Sequence, residues 1–206
     1  MLSRISIIIP AYNEEDSIGL VLKALPRQII QEIIVVDNGS TDETARVAID
    51  NGARVVKEPK KGYGAACLKG IEGLDAPDIV VFLDGDFSDF PEEIVSLIEP
   101  IEKEDKDFVI GSRMILPKSR ASLLPQARYG NQLAVFLIKL FFKHTYTDLG
   151  PFRAIRYNSL MSIGMQDTNF GWTVEMQIKA IKRGLRIIEV PVNYRERVGV
   201  SKITGT

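Results

Sequence analysis

Ile79–Glu93 reads I-V-V-F-L-D-G-D-F-S-D-F-P-E-E. Its first five residues are apolar without interruption, the pattern of a strand buried on both faces of a parallel sheet. Three aspartates follow at once, and then Pro91, which is tolerated near the first turn of a helix. The stretch therefore predicts a strand, an acidic loop and a helix running to about Glu104. Similar apolar runs stand at Ile5–Ile9, Glu32–Val36, Arg54–Val56 and Phe108–Ile110. Helical patterns separate them. Ile18, Val21, Leu22 and Leu25 share one face of residues 16–25, Ser40 and Glu43 have the spacing of a capping box, and residues 63–72 are Ala-rich. Such alternation predicts an α/β fold with a mostly parallel sheet flanked by helices, and ligands at the carboxyl ends of the strands.

Beyond Phe108–Ile110 the pattern is less regular. Pro117–Pro125 reads as a basic loop. Gln126–Lys143 reads as a long apolar helix, Phe152–Ile155 as a short strand, and Asn158–Ile163 as a helix. Thr173–Arg183 reads as a helix closed by Gly184 in the C′ position, and Arg186–Tyr194 as a last strand. No internal repeat stands out. One domain is expected over residues 1–206, with 1–112 as one half and 113–206 as the other.

The 206 residues are 45% hydrophobic and 26% charged, which excludes disorder. The lone Cys67 excludes a disulfide framework and a Cys-rich zinc site. No signal peptide is expected, because Met1–Ile9 is one short apolar strand. The longest apolar stretch, Leu133–Phe142, is broken by Lys139, so no membrane-spanning helix is expected. The net charge of −1 conceals a division: residues 1–112 carry −11 and residues 113–206 carry +10. That asymmetry points to an anionic partner for the basic half.

Chemistry gathers at the strand ends. After the first strand, Pro10–Glu15 reads P-A-Y-N-E-E. Tyr12 has a ring that suits stacking on a base, and Asn13 and Glu14 have groups that suit a base edge. An ordinary strand-to-helix turn explains them equally well. Asp37 ends the second strand, where an acidic residue takes ribose hydroxyls; Asp42 and Glu43 read as first-turn acids. Lys60–Ala66, K-K-G-Y-G-A-A, opens a helix with two glycines that suit a phosphate at a helix N-terminus. It is neither a P-loop nor a dinucleotide fingerprint, because Cys67 stands where the third glycine belongs. Asp84 and Asp86, two apart on an extended segment, point the same way. Two converging carboxylates repel unless a cation lies between them, and hard oxygen ligands suit Mg²⁺ or Mn²⁺. Asp89 is expected to cap the following helix.

P-A-Y-N-E-E, V-V-D-N-G-S-T-D-E-T, K-G-Y-G-A and L-D-G-D-F-S-D-F-P-E-E, in this order and spacing, resemble the family 2 glycosyltransferases. The match is closest to the branch of dolichol-phosphate mannose synthases and other polyprenyl-phosphate sugar transferases, and it covers nearly the whole chain. The resemblance implies a GT-A fold, a nucleotide-diphosphate sugar donor of the GDP-mannose or UDP-glucose type, and a metal at a D-x-D motif. It places Pro10, Ala11, Tyr12, Glu14, Asp37 and Lys61 with the donor nucleotide. Asp84 and Asp86 fall at the diphosphate and the metal. Ser88 stands where this branch often has a metal-binding glutamine, which leaves the third ligand open.

In the basic half, G-S-R (Gly111–Arg113), R-Y-G-N (Arg128–Asn131), D-L-G-P-F-R (Asp148–Arg153) and R-V-G-V-S-K (Arg197–Lys202) resemble further motifs of the family. Arg113, Arg128, Arg153 and Arg197, with Ser201 and Lys202, are thereby the candidates for the acceptor's phosphate or the leaving diphosphate. A polyprenyl phosphate needs no strong base; a hydroxyl acceptor would need one, and Asp148 is then the candidate. Glu175 resembles an acidic position near the sugar, or else satisfies a polar group of the core. Gln132–Lys143 fits an interfacial helix with snorkelling lysines, or an ordinary core helix.

The expected function is thus inverting, metal-dependent hexose transfer to a polyprenyl phosphate, in the cytoplasm or peripheral on the membrane's cytoplasmic face, directly or through a membrane partner, and without nucleic acid. A transferase to a different hydroxyl acceptor, or a non-catalytic nucleotide-sugar-binding module, are the alternatives.

Overall fold

The computed structural model describes residues 3–199. The elements, in chain order, are β1 (Ile5–Ala11), α1 (Glu15–Ala24), β2 (Glu32–Asp37), α2 (Thr44–Asp50), β3 (Arg54–Lys57), α3 (Tyr63–Glu72), β4 (Ile79–Phe82), α4 (Ile94–Lys103), β5 (Phe108–Ser112), α5 (Pro117–Ser122), α6 (Pro125–Phe142), β6 (Arg153–Arg156), α7 (Tyr157–Ile163), α8 (Trp172–Lys182) and β7 (Ile187–Pro191). The strands form one seven-stranded sheet in the order β3-β2-β1-β4-β6-β5-β7. β1 pairs in parallel with β2 and β4, β2 with β3, and β5 with β7. Among the strands of the described residues β6 alone runs antiparallel, between β4 and β5.

The two-residue period of the strands divides the core between the faces of the sheet. Ile7, Ile9, Val35, Val81 and Val109 meet Ile18, Val21 and Leu22 of α1 and Leu97, Ile98 and Ile101 of α4. Ile8, Ile34, Val36, Val80, Phe82, Phe108 and Ile110 meet Ala66 and Cys67 of α3 and Trp172, Met176 and Ala180 of α8. The Trp172 ring meets Phe82 edge-on, with centroids 5.9 Å apart. α3 lies so near the sheet that a Cβ at Gly70 would come within 2.5 Å of Ile8.

The strand order reverses between β1 and β4, so the chain leaves their carboxyl ends in diverging directions and a crevice opens there.

Several local expectations are corrected. Pro117–Pro125 is not a loop: Pro117 starts α5, Leu123 and Leu124 are extended, and Pro125 starts α6. Ser40 and Glu43 form no capping box, because the Ser40 hydroxyl accepts the Asn13 N–H and the Asp42 carboxylate accepts the Thr44 N–H at the start of α2. Asp89 caps nothing; both its carboxyl oxygens are buried without a hydrogen-bond partner. The α6 helix is not an ordinary core helix. Among its residues only Asn131 and Ile138 are buried, while Leu133, Phe136 and Phe141 are 61%, 59% and 71% exposed.

Burial of this kind fixes a contrast. Ile8→Ala, at the centre of the sheet, should lower unfolding free energy by about 2–5 kcal/mol, whereas Phe136→Ala on α6 should change it by roughly 0.5 kcal/mol or less. Urea unfolding of both variants checks this.

Candidate functional site

Two adjoining cavities open at the carboxyl ends of β1 and β4. The first, of about 260 Å³, is lined by the 10–14 turn, Asn38, the 61–66 segment, Asp84–Asp86, Phe170 and Arg197. The second, of about 680 Å³, has polar walls from Arg113, Tyr194, Arg195, Glu196 and Arg197, and apolar walls from Leu123, Leu124, Leu149 and Pro151. Tyr63, Asp84, Asp86, Phe170 and Arg197 line both.

The shared acidic pair follows β4 directly. The Tyr63 hydroxyl donates to Asp84 at 3.0 Å. Burial, and then the neighbouring Asp86, push the Asp84 carboxyl up to about 7 against the Tyr63 hydrogen bond. Asp86 accepts both the Ser88 N–H, at 2.9 Å, and the Ser88 hydroxyl, at 2.6 Å. Ser88 is itself buried, spends its hydroxyl on Asp86 and lines neither cavity, which does not suit a third metal ligand. Gly85 lies against the β1 end, where a Cβ would meet the Pro10 carbonyl at 3.3 Å. Among the described residues no group of three or more His, Cys, Asp or Glu side chains could hold a metal ion. Two carboxylates that leave most coordination positions to other oxygens fit a hard cation completed by substrate phosphates and water.

Arg197 brings positive charge to this pair; its guanidinium lies 3.4 Å from Asp86 and 2.6 Å from Glu14, and Arg113 acts on Asp84 in the same sense. Arg195 fixes that segment. Its guanidinium stacks on Phe87 at 3.7 Å and Phe90 at 4.0 Å and donates to the Phe87 and Asp89 carbonyls. The Val198 N–H donates to the Asp86 carbonyl. Ser201 and Lys202 lie outside the described residues.

In the first cavity Pro10, Ala11, Tyr12, Glu14 and Lys61 stand together as wall residues. Lys61 donates to the Tyr12 hydroxyl at 3.0 Å and sits over its ring. Asp37 is not part of the wall; its carboxylate accepts the Ser40 N–H and closes the turn after β2. Asn38, in the turn after β2, holds the Lys60–Gly62 segment through the Glu58 and Lys60 carbonyls and the Gly62 N–H. Gly62, which precedes α3, and Gly64 in its first turn lie against the chain itself. A Cβ at Gly62 or Gly64 would fall 2.1 Å from a carbonyl of the 167–168 segment, and the Gly64 and Ala65 N–H groups donate to the Asn169 and Thr168 carbonyls. Their freedom serves a close approach of the chain to itself. Glu175 supports that same loop, accepting the Gln166 and Asp167 N–H groups and pairing with Lys179; it does not line either cavity.

Asp148 and Arg113 were expected in separate roles, yet they form one buried bidentate pair at 2.8 Å. Asp148 also accepts the Arg113 and Leu149 N–H groups, which leaves it no place for a substrate proton. Arg113 keeps an edge on the second cavity. Arg153 is fully buried and donates to the Leu149, Gly150 and Thr173 carbonyls; burial pulls its guanidinium down to about 10. It props the 148–151 turn from beneath. Arg128 is half-buried on α6 and does not line the cavity.

The chain belongs to glycosyl transferase family 2, whose profile matches residues 6–164, and it is a glycosyltransferase with the expected GT-A fold. It is 33% identical, over 97% of its length and 86% of the relative's, to a dolichyl-phosphate hexose transferase of Haloferax volcanii. It is 32% identical, over 98% and 88%, to an undecaprenyl-phosphate mannosyltransferase of Micrococcus luteus. Glucosyl-3-phosphoglycerate synthase of Mycobacterium tuberculosis, crystallised with Mn²⁺, UDP-glucose and phosphoglyceric acid, superposes with a TM-score of 0.80 at 25% identity, over 97% of this chain and 73% of that one.

The Asp84 carboxyl, raised to about 7, is neutral below that pH and charged above it, so a cation held there would compete with its proton. Mn²⁺-dependent nucleotide binding should therefore hold a plateau above neutrality and weaken by on the order of tenfold per pH unit below it. Mn²⁺ titrations at both ends of that range, with the released proton read by calorimetry in two buffers, check this.

Proposed function

We propose that this glycosyltransferase moves a hexose, with inversion, from a nucleoside-diphosphate sugar to a polyprenyl phosphate. The observation that carries the proposal is the second cavity. It brings together the acidic pair, arginines and an apolar wall that includes Leu124 at the start of α6. An amphiphile with an anionic head and a hydrocarbon tail matches those walls. The two polyprenyl-phosphate relatives support the acceptor class.

In this reading the first cavity takes the nucleoside, with Tyr12 and Lys61 beside the base and Glu14 below it. Asp84 and Asp86 hold Mg²⁺ or Mn²⁺, which would stabilise the charge of the departing diphosphate; the structural neighbour with bound Mn²⁺ and UDP-glucose supports the metal and the donor class. Arg113 and Arg197 hold the acceptor phosphate, whose oxygen forms the new bond to the anomeric carbon as the bond to the diphosphate breaks. A phosphate dianion needs no general base, which agrees with an Asp148 occupied by Arg113.

The same geometry favours work at a membrane surface. Between Asp107 and Asp148 the chain has six Lys or Arg and no Asp or Glu, and this stretch contains α5 and α6. An apolar face with cations around it suits a bilayer carrying anionic lipid.

Two experiments test these statements. Turnover is measured with UDP- and GDP-sugars against polyprenyl phosphate and against 3-phosphoglycerate. Product with the lipid alone is expected; product with 3-phosphoglycerate alone, or donor bound and never consumed, overturns the assignment. Asp86→Ala should lower kcat/KM by on the order of a thousandfold and remove the Mn²⁺ dependence of donor binding. In the second experiment the protein should sediment with phosphatidylcholine vesicles containing phosphatidylglycerol, and a Phe136→Glu, Phe141→Glu double variant should remain in solution. Self-association in light scattering without sedimentation would assign the α6 face to a second copy.

A further inference from the structure

We propose that the Phe170 ring is the platform on which the donor's hexose rests. The inference builds on the reading of the two cavities as donor and acceptor sites. For a direct displacement the anomeric carbon must lie where the two cavities meet, because it is bonded to one substrate and attacked by the other. The residues lining both cavities mark that place: Tyr63, Asp84, Asp86, Phe170 and Arg197. Four of the five are already engaged with one another or with the metal site: Tyr63 with Asp84, and Arg197 with Asp86. Phe170 is the remaining one. It is also the one whose side chain is wholly apolar.

Phe170 is 60% exposed, yet the main chain on both sides of it is fixed. The Thr168 and Asn169 carbonyls accept N–H groups of α3, the Asn169 N–H donates to Asp167 at 2.7 Å, and Glu175 holds the Gln166 and Asp167 N–H groups. On the other side Trp172, the first residue of α8, is buried against the sheet. An aromatic ring held at the junction by a pinned backbone is presented, at small further entropic cost when a ligand covers it. A pyranose has an apolar face of C–H groups whose small positive charge suits the negative face of an aromatic ring. The polar members of the junction would then meet the hydroxyls and the diphosphate, and the ring would meet the C–H face. This chemistry selects a sugar ring in the donor and is indifferent to the base.

Calorimetric titration separates the parts. UDP, UDP-glucose, GDP and GDP-mannose are titrated, with Mn²⁺, into the wild-type protein and into Phe170→Ala, Phe170→Leu and Phe170→Tyr. For the nucleotide that the wild type binds, Phe170→Ala should bind the free diphosphate unchanged and its sugar conjugate threefold to tenfold more weakly. Phe170→Tyr should restore the difference, and Phe170→Leu should restore only part of it. Equal losses for diphosphate and conjugate, or no loss for either, overturn the proposal. A loss confined to the acceptor's KM assigns the ring to the acceptor and overturns it as well. If the wild type binds none of the four, the donor-site reading fails, and this inference fails with it by a separately visible result.

Discussion

Two carboxylates share one crevice at the end of a strand that is buried throughout, and the surroundings are organised around their repulsion. Asp84 and Asp86 follow the end of β4, and burial penalises the charge of Asp84. Each neighbouring element supplies part of the compensation: Tyr63 from α3, Ser88 from the following turn, and Arg197 from the far end of the chain. A pair so arranged selects for cations, whether a guanidinium or a metal ion. The sugar chemistry proposed for the site uses that preference at the position where negative charge accumulates.

The basic half reaches the pair through only a few side chains, each fixed by a different partner. Asp148 holds Arg113 in a bidentate pair, and the rings of Phe87 and Phe90 clasp Arg195. Arg197, two residues further on, is thereby kept at the carboxylates. Arg153, with the same charge, is spent inside the protein on three carbonyls. Charges such as Arg186 with Asp105 form exposed surface pairs outside the cavity walls, where screening leaves little net effect. The excess of base over residues 113–206 is therefore a poor map of the site, although the site does draw on it.

Much of the sheet was legible because its signal is local. Runs such as Ile5–Ile9 and Ile79–Leu83 have no polar face to offer water, and a strand-to-helix turn at their ends has few outcomes. The Asp84/Asp86 pair was legible for the same reason: two residues apart on an extended segment are neighbours whatever the rest does. What escaped was decided at long range. Nothing near residues 62–64 says that the glycines accommodate residues 167–168 and not a phosphate, since that loop is a hundred residues away. Asp148 has the composition of a base and the geometry of an anchor, and only the position of Arg113 separates the two. Tyr63 and Phe170 are unexceptional in sequence and become informative once both are seen where the cavities join. The basic stretch at Pro117 was misread because two prolines suggest a loop, whereas each stands at a helix start, where a missing N–H costs nothing.

The antiparallel strand in the sheet bears on how the chain comes to be folded. β5 pairs only with β6 and β7, both of which follow it in the chain, and β6 is also the neighbour that closes the edge of β4. During synthesis the first five strands therefore emerge with β4 and β5 lacking their inner partners, and their hydrogen-bonding edges stay unsatisfied until residues 153–156 arrive. Contacts of such sequence separation slow folding and leave open edges in the meantime. The loop that bears the acidic pair likewise gains its Arg195 clasp only after residue 195 has been made.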